Sequence, residues 1–343
     1  MRDYLVYALE EDPRLRVMGT AGDGEEALAM VAAHRPDVIL MDVILPGIDG
    51  FETTRRIMAT TPVPIVVCTA STSFDEVGTA MRALDAGALM ALRKPNGFGD
   101  PGSDAECAAL VNNVRLMSEV RVVKRWRRVG AAAVSAPPAA SGGGPRAVEA
   151  RDVAVVAIGA STGGPPVLAT ILGGLPADFP APILIVQHIA VGFTQGFGEW
   201  LGDVSGRPVH VAREGMVPLP GHAYIAPDDQ HLRVGPHGHL RVLRDAPLNG
   251  TRPSVSALFR SVEAKYGRRS IGILLTGMGR DGADELKLMA DSGALTIAQD
   301  RSSCVVFGMP GEAVKLGAAM HVLPPRAIAD LLVTVTRKTG APQ

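Results

Sequence analysis

VVAIGASTGGPP, residues 155–166, runs an apolar segment straight into a serine set among small residues and glycines. Such a run reads as a buried strand, the glycines as a sharp turn, and the pattern after them as a helix around Val167–Leu172. The loop invites two chemistries, a phosphate cradle or a presented nucleophile. A phosphate loop wants G-x-x-x-x-G-K-[ST] and a dinucleotide loop G-x-G-x-x-G. GASTGG has no lysine and lacks the second glycine of the dinucleotide pattern, so it matches neither. It does match G-x-S-x-G, as Gly159, Ala160, Ser161, Thr162 and Gly163, in the strand-to-helix context that motif needs. That match alone is weak, because a small-residue turn without catalysis has the same look.

A serine hydroxyl needs a base, and the base an orienting carboxylate. The alternation of strand and helix continues downstream: APILIVQH (181–188) leads into TQGFGEWL, and IGILLTG (271–277) leads through MGRDGADELKLMADSG into ALTIAQD (294–300). PVHVA, HAYIA, HLRV and LRVL form an inserted β-rich patch near 208–245. Of the eight histidines, His210 and His321 fall inside apolar strand runs, and His34 ends a helix elsewhere in the chain. His222, His231, His237 and His239 belong to the β-rich patch, where HLRVGPHGHLRV reads as a hairpin rather than a metal site. His188 remains, directly after a strand and expected at the same sheet edge as Ser161. Asp281 follows a third strand, and its glycine-rich turn brings it back over that edge. The order Ser…His…Asp differs from the α/β-hydrolase order and argues against that fold.

The first half of the chain alternates in the same way. RVMGTA (16–21), DVILMD (37–42), PIVVCTA (64–70) and ALMALRKP (88–95) read as strands. Helices are expected at Gly24–His34, from near Gly50, at Phe74–Asp85 and from Asp104 to about Arg121. Such alternation implies a parallel sheet covered by helices, with ligands outside the carboxyl ends of the strands. Asp42, Thr69 and Lys94 stand at those ends, a carboxylate, a hydroxyl and an ammonium forming one anion site. Between the halves, roughly 121–150, the Ala, Pro, Ser and Gly content has too little apolar bulk to offset backbone ordering and reads as a flexible linker. The expected architecture is α/β: two doubly wound parallel-sheet domains, 1–120 and 151–340, on either side of that linker.

Composition bounds the function. A net charge of −1 over 343 residues advertises neither a nucleic-acid nor an anionic-membrane surface. Cys68, Cys107 and Cys304 lie far apart in no ligand spacing, which suits a reducing compartment. The N-terminus carries charges throughout, and no apolar run approaches the ~20 residues of a membrane span. A cytoplasmic protein with no nucleic-acid partner and no direct membrane insertion is expected.

Two resemblances sharpen this. ILMDVILPGIDG, VVCTAS and LRKP resemble the receiver domain of two-component response regulators, a flavodoxin-like fold. That resemblance implies Asp42 as phospho-acceptor, Thr69 and Lys94 as phosphoryl contacts, and a cis Lys94–Pro95 bond. A receiver opens with an apolar strand ending in an acidic pair that holds Mg²⁺. Here the first residues, MRDYLVYALEEDP, correspond to the helix after that strand. The expectation is therefore a receiver lacking its first strand, with Mg²⁺ held at Asp42 only if the missing pair is present. The cause is either a start placed too far downstream or a damaged receiver, and its switching is expected to be locked in one state.

Residues 151–340 resemble the Rossmann-like catalytic domain of chemotaxis-type protein-glutamate methylesterases. The resemblance is carried by IGASTGGP, VQHI…GFT, HAYIAPDDQHL, NGTRPSVSALF, LLTGMGRDGA and AQDRSSCVVFGMPGEA. It implies Ser161 as nucleophile, His188 as general base and then acid, Asp281 as the residue orienting the imidazole, and the backbone N–H of Met278 as oxyanion donor. It implies glutamate γ-methyl esters of methyl-accepting chemoreceptors as substrate, glutamine side chains as a second one, and a chemotaxis histidine kinase as phosphodonor. No cofactor is expected for catalysis. Relatives often carry His where Thr251 stands and Asp where Ser256 stands. Neither is a triad position, so both are expected to bear on substrate contacts more than on chemistry.

Overall fold

Helix starts in the first half are set by side chains that accept a helix N–H. Asp23 accepts from Glu26 N, opening α2 (Gly24–His34), and Asp49 accepts from Glu52 N, opening α3 (Gly50–Thr60). They precede and follow β1 (Ile39–Asp42) in a computed structural model that describes residues 1–69, 82–84, 86–95, 103–120 and 151–336. The linker expected over 121–150, and most of the helix expected over 74–85, lie outside the described residues. β1, β2 (Ile65–Thr69) and β3 (Met90–Arg93) form a parallel three-stranded sheet in that order. Helix α4 (Ser103–Ser118) seats Leu110 and Val114 on Cys68, where Leu5 and Leu9 of α1 (Arg2–Glu10) also pack.

Residues 16–21, expected as a strand, pair with no strand among the described residues, and Met18 is 58% exposed. A strand exists only through its backbone partners, and RVMGTA finds none on this three-stranded sheet. Nor is Lys94–Pro95 cis: the described cis bond is Arg252–Pro253. An X–Pro bond still prefers trans by about 0.5–1 kcal/mol.

The second half is built on a seven-stranded parallel sheet. Its strands are β4 (Val155–Ala160), β5 (Ile183–Gln187), β6 (Val209–Val211), β7 (Ala223–Ile225), β10 (Ser270–Leu274), β11 (Leu295–Gln299) and β12 (His321–Leu323). They lie in the order β12-β11-β10-β4-β5-β7-β6. Two of the strands expected in a separate β-rich patch, β6 and β7, thus extend this sheet, because Ala223–Ile225 is apolar enough to be buried beside β5. The other two, β8 (His231–Val234) and β9 (Leu240–Leu243), make the expected antiparallel hairpin.

Each central strand is apolar on both faces, as a doubly covered sheet requires. Val156, Ile158 and Ala160 face α5 (Gly164–Gly173), α6 (Thr194–Ser205) and α10 (Pro325–Thr336). Val155 and Ala157 belong to the opposite core, with α7 (Val255–Tyr266), α8 (Ala283–Asp291) and α9 (Met309–Lys315). The chain leaves β4 toward β5 on one side and later returns to lay β10 on the other. β4 therefore borders the point where strand order reverses, the crevice in which open α/β sheets hold ligands.

Candidate active site

Parallel register decides which residues meet in that crevice. Ala160 of β4 pairs with Gln187 of β5, so the next residues, Ser161 and His188, leave the sheet side by side. His188 N–H donates to Ala160 O at 2.9 Å and Ser161 N–H to Thr276 O at 3.0 Å. The chain turns at once after Ser161: its carbonyl accepts from Gly164 N at 2.8 Å, and Gly163 takes φ +77°, where a side chain would also meet Val305. Gly277, beyond β10, has to be glycine for another reason. A Cβ there would stand 2.6 Å from the Cβ of Ser161.

Asp281 closes the crevice from the loop between β10 and α8. It is 4% exposed, and its Oδ2 faces Nε2 of His188 at 3.0 Å. The same oxygen accepts from Val255 N (2.7 Å) and Thr251 Oγ1 (3.1 Å). Its Oδ1 accepts from Ser254 Oγ (2.8 Å), Ser256 N (3.1 Å) and Asn249 Nδ2 (3.3 Å). Burial alone would push this carboxyl up, but the hydrogen bonds from His188, Ser254 and Val255 hold it well below the ordinary carboxylate range. It is an anion at neutral pH, and Nε2 is the ring nitrogen that donates to it. Nδ1 is then the basic nitrogen. Among the described residues no hydrogen bond joins Ser161 Oγ to His188, whose Nε2 is engaged by Asp281.

The N–H of Met278 makes no hydrogen bond among the described residues, whereas Gly308 N and Met309 N both donate to Gly277 O. The Met278 side chain and Val305 pack against the cluster of Val66, Leu89 and Met117 contributed by the first half of the chain. Burial, and then the Asp300 charge, push the thiol of Cys304 up to about 12.

Several residues that hold the site were not singled out from sequence. Gln187, 3% exposed, donates from one Nε2 to the carbonyls of both Ser161 and His188, each at 2.8 Å. Thr276 Oγ1 donates to Thr162 O and accepts from Val305 N and Val306 N, while Gln299 accepts from Thr276 N. Their signal was a polar residue closing an otherwise apolar strand, as in LIVQ and TIAQ. Thr251 and Ser256, expected to bear on substrate contacts, both lie on Asp281 itself.

At the other sheet, Asp42, Thr69 and Lys94 stand at the carboxyl ends of β1, β2 and β3, and Lys94 Nζ pairs with Asp42. Asp42 Oδ1 accepts from Ile44 N at 3.2 Å. A Mg²⁺ site wants several oxygen ligands. Among the described residues no group of three or more His, Cys, Asp or Glu is placed to hold a metal, so the residues here do not by themselves fit that ion.

Residues 156–332 match the family described as CheB methylesterase, and residues 1–100 the response regulator receiver domain. A protein-glutamate methylesterase/protein-glutamine glutaminase of Nitrosospira multiformis is 49% identical over 99% of this chain and 95% of its own length. One from Geobacter metallireducens is 51% identical over 98% and 95%. The crystal structure of the Thermotoga maritima CheB methylesterase catalytic domain is 38% identical, with a TM-score of 0.51 over 53% of this chain and 97% of that one. No helix among the described residues is long and apolar enough to cross a membrane. The chain belongs to the CheB methylesterase family and is a hydrolase of that family preceded by a response regulator receiver domain.

Proposed function

We propose that this protein hydrolyses glutamate γ-methyl esters on methyl-accepting chemoreceptors, releasing methanol, and deamidates glutamine side chains at the same site. The observation that carries the reading is the buried Asp281 carboxylate on His188, beside the elbow that presents Ser161. Nε2–H of His188 donates to Asp281, which fixes the tautomer and leaves Nδ1 to take the Ser161 proton as Oγ attacks the ester carbonyl. The Met278 N–H receives the oxyanion. His188 then returns its proton to the departing methoxide, and water activated by the same imidazole hydrolyses the acyl-enzyme. With a glutamine substrate the leaving group is ammonia and the steps are the same.

The domain division that fits this reading is a receiver over 1–120, a linker over 121–150 and a catalytic domain over 151–340, acting in the cytoplasm. Asp42, paired with Lys94 and followed across the sheet by Thr69, is the position a chemotaxis histidine kinase would phosphorylate, on Mg²⁺ ligands beyond those the described residues supply. The contact of Met278 and Val305 with the receiver's apolar cluster couples that domain to the mouth of the site. Ser161→Ala tests the esterase directly: methanol release from methylated receptor fragment is expected to vanish, and release at the wild-type rate refutes the reading.

A further inference from the structure

Behind Asp281 lies a second carboxylate that the proposed reaction does not use. Glu285 is 3% exposed, in the first turn of α8, and its Oε2 accepts from Ser256 Oγ at 2.5 Å. Its Oε1 meets Arg260, whose side chain is 63% exposed. Gly282 is the N-cap of α8, with φ +84°, so Glu285 is the third residue of the helix proper. In a capping box that residue reaches back to the N–H of the N-cap. Here the box has an intermediary. The Gly282 N–H donates to Ser256 Oγ at 3.1 Å, and Ser256 Oγ donates onward to Glu285.

The hydroxyl has no capacity left over. A serine hydroxyl offers one proton and two acceptor sites. Its proton goes to Glu285, and the acceptor sites take Gly282 N–H and Asn249 Nδ2, the latter at 3.1 Å. Glu285 thereby decides where the hydroxyl proton points, and so where the two lone pairs point. Both groups on those lone pairs bear on Asp281: Gly282 is its chain neighbour, and Asn249 Nδ2 also donates to Asp281 Oδ1. Ser256 N–H donates to the same Oδ1 at 3.1 Å. Arg260, largely in solvent, leaves the Ser256 bond as the inward anchor of this carboxylate.

We infer that Glu285 is a positioning residue for the proposed hydrolysis, holding Asp281 against His188 through a capping box relayed by the Ser256 hydroxyl. The inference rests on the reading of Asp281 as the partner of the catalytic histidine. Its outcome is a catalytic carboxylate located from both ends, by hydrogen bonds from α7 and its approach, and by the start of α8 behind it.

The test uses the full chain and a peptide carrying a glutamate γ-methyl ester. In E285L the kcat is expected to fall about 10- to 100-fold, the scale of a small misplacement at a reacting centre, with KM unchanged. E285Q, whose amide oxygen accepts the same proton, keeps kcat near wild type. S256A matches the loss of E285L, and S256A/E285L is no worse than either single variant, because the two side chains act as one unit. Should E285L not fold, S256A against E285Q carries the comparison. Amide exchange at Gly282 gives a readout that needs no activity, and it is expected to quicken in E285L and S256A but not in E285Q. Wild-type kcat in E285L, a loss carried by KM, additive losses, or unchanged Gly282 exchange each overturns the relay. D281N separates the two levels: full activity in D281N removes the underlying reading of Asp281, while Gly282 exchange still reports on the relay itself.

Discussion

At the scale of the residue, Asp281 is where electrostatics and geometry meet. A carboxylate this buried is costly to ionise, and Val255 N–H, Ser256 N–H, Ser254, Thr251, Asn249 and His188 supply the hydrogen bonds that offset the cost. Asp281→Asn keeps the shape but no longer enforces the tautomer of His188, and kcat is expected to drop about 10⁴-fold, the scale seen in serine proteases. Steady-state kinetics on a methyl-ester peptide checks this. The lowered pKa also has a sign for stability. A carboxyl whose native value lies below its unfolded one stabilises the fold fully above the unfolded value, about pH 4. That contribution is lost as the pH falls through the native value. Urea midpoints between pH 7 and pH 3 are therefore expected to fall more steeply for the wild type than for Asp281→Asn, and parallel curves would contradict the assignment.

Single elements set the tolerances. The turn after β4 brings Ser161 against the end of β10 so closely that position 277 has no room for a methyl group. Gly277→Ala is expected to push Ser161 off line and, on the proposed mechanism, to lower kcat by about 10²-fold, with near-UV circular dichroism preserved. Retained activity would mean that the loop yields easily. Gln187 works at the same scale, one amide tying the turns after β4 and β5 together. Reversing that amide would aim its oxygen at two carbonyls, so the hydrogen-bond network itself fixes the orientation. The elements themselves were legible: the apolar runs and the helical patterns between them located β1 through β3, α2, α3 and the central strands of the second sheet. RVMGTA shows the limit, since an apolar run is a strand only where its backbone pairs with a neighbour, and this one pairs with none among the described residues. The four short strands near 208–245 show another, because their own patterning does not say which sheet they join.

Across the whole molecule, the receiver's apolar cluster around Leu89 and Met117 meets Met278 and Val305, the latter beside the turn that follows Ser161. Val120 sits at the margin of that cluster, partly buried. Val120→Asp places a charge on the cluster that carries the contact and is expected to raise basal methanol release from methylated receptor fragment several-fold, without changing the kinetics of a small peptide ester. An unchanged basal rate would uncouple the two halves.

What the sequence determined by itself was local: the alternation of strand and helix, the turn that exposes Ser161, and the candidates His188 and Asp281. Those signals survive in one chain because periodicity and turn chemistry involve residues a few positions apart. Only the tertiary structure decided that His188 and Asp281, 93 positions apart, share a hydrogen bond, and that Ser256 and Glu285 stand behind them. Contacts of that kind depend on parallel register and on the side of β4 where each later strand is laid, and neither is written in the spacing of the residues concerned.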